Sequence, residues 1–159
     1  MKNTNLAEGK LKEKYLRDAV AEYAKRLTPF AKLDFIEIAE EKMPENFSAA
    51  EKEKTLVREG ERLLARVPEG SELIVLDVAG EELSSEELSA RIGDWMTGGA
   101  SHITFLIGGP FGLSLAVRNA ARLRLSLSKM TFTHQMARLL LTEQIYRAFK
   151  ILRGEKYHW

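Results

Sequence analysis

Two rhythms of apolar and polar positions divide this chain. Phe35-Ile36-Glu37-Ile38, Leu73-Ile74-Val75-Leu76-Asp77-Val78 and Ile103-Thr104-Phe105-Leu106-Ile107 read as strands. The last two are almost continuously apolar, as strands buried on both faces of a parallel sheet are. A short strand is read from Leu123 to Leu127. Helical spacing fills the gaps. One helix starts near Leu11 and stops before Pro29; a longer, charge-laced one starts after Asn46 or Ser48 and runs to about Val67. A third follows Ser84-Ser85-Glu86-Glu87, where a serine cap sits beside first-turn acids, and ends near Gly98-Gly99. Strands alternating with helices predict βαβ units and a mostly parallel sheet covered on both sides. With no linker, repeat or low-complexity stretch, residues 1–159 are expected to form a single domain.

The final helix, Thr133 to about Leu152, departs from the amphipathic pattern. Met136, Ala137, Leu139, Leu140, Leu141, Ile145, Ala148, Phe149, Ile151 and Leu152 spread over much of its circumference. A helix that broadly apolar is covered on more than one side. The cover is either internal core or a second copy of the chain, and the expectation is a homodimer. Glu143 and Arg147 stand four apart in the favourable orientation for pairing with each other.

Composition narrows the class. At 159 residues and 45% hydrophobic, one sizeable core is expected. No run of about eighteen apolar residues suggests a membrane span, and Met1-Lys2-Asn3-Thr4-Asn5 lacks the apolar stretch of a secretion signal. The absence of cysteine removes disulfides and thiolate metal sites and fits a cytoplasmic protein. Net charge is only +1, yet from Arg118 onward nine Lys or Arg face two Glu, while the preceding residues hold fifteen basic and twenty-one acidic groups. That asymmetry is either a solvated helix face or an electrostatic footprint for phosphate backbones.

The candidate chemistry lies in two loops. Leu106-Ile107-Gly108-Gly109-Pro110-Phe111-Gly112-Leu113 carries an apolar strand into paired glycines, either a tight turn or a place where backbone approaches a ligand. It matches neither the dinucleotide nor the P-loop fingerprint. The second, Ser126 to Phe132, also leaves a strand and enters a helix; two such loops make the crevice in which α/β sheets bind ligands. Thr131 and Thr133 are candidate helix caps. Three scattered histidines, His102, His134 and His158, give no metal-ligand spacing, and no nucleophile elbow occurs. His102 is expected at the surface, and His134 beside the crevice.

The order strand, glycines, helix, short strand, Ser-rich loop, helix resembles the knotted SPOUT methyltransferases. The wording Ser126-Leu127-Ser128-Lys129-Met130-Thr131-Phe132 and the Tyr157-His158 terminus resemble one family within it, ribosomal RNA large-subunit methyltransferase H. The resemblance implies a C-terminal trefoil knot, a homodimer and an S-adenosylmethionine pocket at Leu76, Gly108, Leu127, Ser128, Lys129, Met130, Thr131 and Phe132. In that pocket, backbone groups would read the adenine edge while Leu76, Leu127 and Met130 sandwich its ring. The implied reaction methylates N3 of a pseudouridine in the subunit-interface stem-loop of 23S rRNA, on assembled 70S ribosomes. Such a transfer needs in-line alignment and help in removing an imide proton. His134, or Tyr157 and His158 from a partner subunit, are the candidates for that help. Arg138 and Lys129 are candidates for positioning phosphate or the developing anion. Lys129, Arg153 and Lys156 are the expected RNA contacts, with no metal and no membrane involved.

This chain departs from the family pattern at several points. The family's first strand falls on Met1 to Glu8, with apolar residues where this chain has Asn3, Asn5 and Glu8. An unpaired buried amide costs about 1–3 kcal/mol, so either that strand lies at an exposed edge or the chain tolerates a weaker one. Glu81 stands in place of a common basic residue, Phe111 of a polar one, Thr133 of a proline, and Trp159 of a basic residue after Tyr-His. The alternatives are a knotted dimer that binds RNA or cofactor without turnover and a SPOUT methyltransferase acting on tRNA.

Overall fold

Alternation of short apolar runs with amphipathic helices produces a single α/β layer structure. The computed structural model describes residues 1–156. Among them the order is β1 (Lys2–Glu8), α1 (Lys14–Leu27), β2 (Lys32–Ile38), α2 (Ala49–Ala65), β3 (Glu72–Glu82), α3 (Ser85–Thr97), β4 (His102–Ile107), α4 (Leu115–Ala120), β5 (Leu123–Ser126) and α5 (His134–Leu152). The strands form one parallel sheet in the order β2-β1-β4-β3-β5. α1, α3 and α5 cover one face, where Leu27, Ile92, Ile103, Phe105, Leu141 and Ile145 join one core cluster. α2 and α4 cover the other, packing Leu63 and Val117 on Leu6, Val75 and Leu106.

The helix starts follow the caps in the sequence. Ser48 accepts from Glu51 N–H, Ser114 from Val117 N–H and Thr133 from Met136 N–H. Ser84 and Glu87 form a full capping box, in which each side chain satisfies an orphan N–H of the other. β3 runs further than its apolar pattern, because a register shift between Leu76 and Glu81 lets Glu81 and Glu82 pair again with Leu125 and Ser126. No helix among the described residues is long and apolar enough to cross a membrane.

β1 is not an edge strand. It lies between β2 and β4 with Asn3, Asn5 and Glu8 all buried. The neighbours explain how polar residues sit there. Asn3 Nδ2 donates to Lys32 O at 3.3 Å, and Asn5 Nδ2 to Thr142 Oγ1 at 3.4 Å. Thr4 Oγ1 lies 2.8 Å from Nε2 of His102, which is half-buried at the start of β4 instead of at the surface. Burial, and then Lys2, hold His102 below the ordinary histidine pKa. Among the described residues neither Asn3 Oδ1 nor Asn5 Oδ1 finds a partner.

These orphans generate a stability test. Thr142 also donates to Arg138 O at 2.8 Å, so it stays bonded if Asn5 is replaced. Asn5→Val removes an unsatisfied buried carbonyl and suits a strand interior, and should raise the unfolding free energy by about 1 kcal/mol in urea titration. Unchanged or lower stability would mean that the amide's weak bond matters more than its orphaned oxygen.

Candidate active site

The carboxyl ends of β3, β4 and β5 open into a cavity of about 360 Å³. Its walls come from three segments, Leu76 to Val78 at β3, Ile107 to Leu113 after β4 without Phe111, and Leu125 to Phe132 after β5 without Lys129, closed by His134 and Ala137 of α5. The β4–α4 loop, residues 108–114, has little room for side chains. A Cβ on Gly108 would stand 2.5 Å from Leu113 Cδ2 and 3.2 Å from Gly112 O. Gly112 has φ +98°, a conformation natural for glycine. The β5–α5 loop is held by its own hydroxyls. Ser126 Oγ donates to Ser128 O at 3.0 Å, Ser128 Oγ accepts Met130 N–H at 3.0 Å, and Thr133 Oγ1 accepts Met136 N–H at 3.2 Å. Local side-chain turns of this kind fix a loop before any ligand arrives.

Of the residues expected at the site, the fold brings Leu76, Gly108, Leu127, Ser128, Met130, Thr131, Phe132 and His134 to one cavity. Lys129 shares the loop but is exposed and does not line the cavity. Arg138 is 6% exposed and lies outside the lining. Its guanidinium donates to Gly9 O at 3.1 Å and to Glu37 at 2.7 Å. With Gln135, which bonds Lys10 O and Lys12 N–H, it pins α5 to the turn after β1. Arg153 donates to Pro29 O and stacks on Phe30. It and the exposed Lys156 stand beyond the opposite end of α5 from His134, about 28 Å away at 1.5 Å per residue. Tyr157 and His158 lie outside the described residues.

Other groups at the cavity were not legible in the sequence. Buried Asp77 takes Ala79 N–H on Oδ1 and meets both Arg118 and Arg124 at 3.5 Å on Oδ2. Arg118 lines the cavity. Beneath the glycine loop lie two carboxyls, Glu8 at 3% exposure and Glu59 at 4%. Glu59 Oε1 accepts Gly109 N–H at 3.3 Å, and Glu8 Oε1 accepts Glu41 N–H at 3.3 Å. A Cβ on Gly109 would sit 3.0 Å from both Glu8 oxygens. Burial, then a hydrogen bond and the charge of Glu59, push Glu8 up to about 8. Glu8 Oε2 is buried without a donor among the described residues, so the raised value favours the protonated acid, with Glu59 as the neighbouring carboxyl. Glu59 gave no signal because a charged residue in a charge-laced helix reads as solvated.

The cavity suits a nucleoside-sized ligand. Its volume falls in the range of small-molecule sites, and Leu76, Leu127 and Met130 are apolar walls beside glycine backbone. Among the described residues no group of three or more His, Cys, Asp or Glu is arranged to hold a metal.

Comparison with known proteins agrees along the whole length. A family model described as "Predicted SPOUT methyltransferase" matches residues 1–158. Three similar proteins are each named Ribosomal RNA large subunit methyltransferase H. The one from Acetivibrio thermocellus is 48% identical over 158 residues, covering 99% of both chains. Those from Ruminiclostridium cellulolyticum and Carboxydothermus hydrogenoformans are each 51% identical over 158 residues, again covering 99% of both. With the fold, the paired loops and this identity together, the chain belongs to the SPOUT methyltransferase family, within the group of ribosomal RNA large subunit methyltransferase H proteins.

Proposed function

We propose that this enzyme binds S-adenosylmethionine in the cavity between the two loops and methylates 23S rRNA at N3 of a pseudouridine in assembled 70S ribosomes. The observation that carries the reading is the convergence of the β4–α4 and β5–α5 loops on one cavity at the carboxyl ends of the strands, in a chain about half identical to proteins named for rRNA methylation. The cofactor supplies a methyl group already activated on a sulfonium. Leu76, Leu127 and Met130 hold the adenine ring, and the backbone of Gly108 and of residues 127–132 reads its edge. His134, at the first turn of α5 and on the cavity wall, is the group within reach to take the N3 proton. Lys129, exposed on the same loop, meets substrate phosphate.

The active form in this reading is a knotted homodimer. Around the cavity mouth Met130 is 75% exposed, with Phe132 and Met136 also uncovered, and Leu139 and Leu140 of α5 are only partly buried. Exposed apolar side chains of this kind are what a second copy would cover. Arg153 and Lys156 stand too far along α5 to serve their own chain's cavity, so they, with Tyr157 and His158, contact RNA at the partner's site. The knot is supported by the path of the chain, which leaves β5, passes the glycine loop and returns as α5 against α1 and α3. The site is a cytoplasmic one because assembled ribosomes are its substrate.

Three measurements test this reading. S-adenosylmethionine at about 100 times its dissociation constant should add ~2.7 kcal/mol to stability. Gly108→Val should abolish that shift, because its side chain meets Leu113 and the Gly112 carbonyl; no shift in the wild type would end the cofactor reading. Undermethylated 70S ribosomes should be methylated in preference to isolated subunits and tRNA, with His134→Ala lowering kcat by roughly 100-fold or more. Preferential methylation of tRNA would replace the substrate. Sedimentation equilibrium should give twice the 18.0 kDa chain mass, and a monomer would remove Arg153 and Lys156 from the active site.

A further inference from the structure

Two consecutive residues of α2 meet opposite ends of the glycine loop. Glu59 accepts Gly109 N–H at its start. Gly60 lies so close to its end that a Cβ there would run into the hydroxyl of Ser114 and stand 3.2 Å from Val117 Cγ2. Between these anchors Leu113 packs into the core beside Val117. Gly112 N–H reaches Gly109 O at only 3.4 Å, and Phe111 rests edge-on against Phe47 with ring centres 5.3 Å apart. A carboxylate as buried as Glu59 is costly unless its bonds matter to the fold, and Glu59 Oε1 bonds the cavity wall at Gly109.

We infer that Glu59 is a positioning residue for the cofactor site, fixing Gly109 and therefore the adjoining Gly108 backbone at the cavity edge, with Glu8 packed beneath as its partner. The inference rests on the cofactor reading above. Two further acidic residues stand beside the pair, both from the segment after β2: Glu40, whose charge bears on Glu8, and Glu41, whose backbone N–H bonds Glu8 Oε1. Arg58 and Arg62 of α2 are drawn to the Glu41 carboxylate, at 3.9 and 2.8 Å. While Glu8 is protonated, its hydroxyl gives Glu59 a donor and leaves the other carboxylate oxygen for Gly109. Once pH rises through about 8, Glu8 ionises beside Glu59. The like charges repel, Glu59 loses its hold on Gly109, and cofactor affinity falls. The folded-state value lies above the ordinary one, so the stabilising contribution is complete at acidic pH and is lost with rising pH.

The test measures S-adenosylhomocysteine binding by calorimetry, with kcat and KM on ribosomes, for wild type, Glu59→Leu, Glu59→Gln and Glu8→Gln. Glu59→Leu should weaken binding about tenfold or more, the loss expected for a hydrogen bond to a charged group, while kcat at saturating cofactor changes far less. Glu59→Gln keeps an acceptor for Gly109 and a donor for Glu8, and should restore binding at neutral pH. From about pH 6.5 to about pH 9 the wild-type dissociation constant should rise relative to that of Glu8→Gln, a ratio in which the ligand's own ionisation cancels. A Glu59→Leu protein that melts lower but binds with wild-type affinity overturns the inference, as does a flat ratio across that pH range. Wild type that binds nothing would defeat the cofactor reading itself, and the inference with it.

Discussion

A parallel sheet covered on both faces forces every crossover through a helix and delivers all strand ends of one polarity to the same edge. The rest of this molecule depends on that constraint. β4 lies inside the sheet between β1 and β3, with Ile103, Phe105 and Leu106 fully buried. Because β4 is fixed from both sides, Gly108 and Gly109 emerge at a defined height beside the ends of β3 and β5. The cavity between those strand ends is lined mostly by glycines, serines and aliphatic side chains.

The polar residues of β1 show what this arrangement tolerates. Asn3 and Asn5 face the layer of α1, α3 and α5, where two amide oxygens go without partners among the described residues. Glu8 faces the other layer and lies against the glycine loop. A buried carboxyl in an interior strand is tolerated there because burial raises its pKa and a neutral acid both donates and accepts. The same strand thus carries two amides that weaken the core and one acid that meets a functional loop. Position relative to the cavity, not residue type, separates the two outcomes.

Long-range side-chain bonds tie the outer elements to this frame. Arg138 and Gln135 fasten α5 to the turn after β1, and Ser89 Oγ donates to Ala148 O to lock α3 on α5. These links orient the first turn of α5, and with it His134, toward the cavity. At the other end of α5, Arg153 is held on Phe30 and Pro29. One helix thus carries two candidate functional regions that cannot meet within a single chain, and this separation gives the dimer reading its physical content.

The sequence by itself determined the elements and the site loops. Continuous apolar runs at β3 and β4 and capped amphipathic helices encode a covered parallel sheet through short-range sterics and hydrophobic periodicity. Paired glycines after one strand and a Ser-rich stretch after another marked the cavity, because close backbone approach needs those residue types. The tertiary structure alone decided what depends on neighbours distant in sequence. It placed β1 inside the sheet between β2 and β4, since strand order is not written in local pattern. It buried Glu8 and Glu59 beneath Gly109 and drew Arg118 and Arg124 to Asp77. Arg138 looked like a catalytic cation on its helix, but pairing with Glu37, 101 residues away, commits it to the scaffold. A charged side chain carries no local signal of burial, because its environment is set by elements that fold against it from elsewhere in the chain.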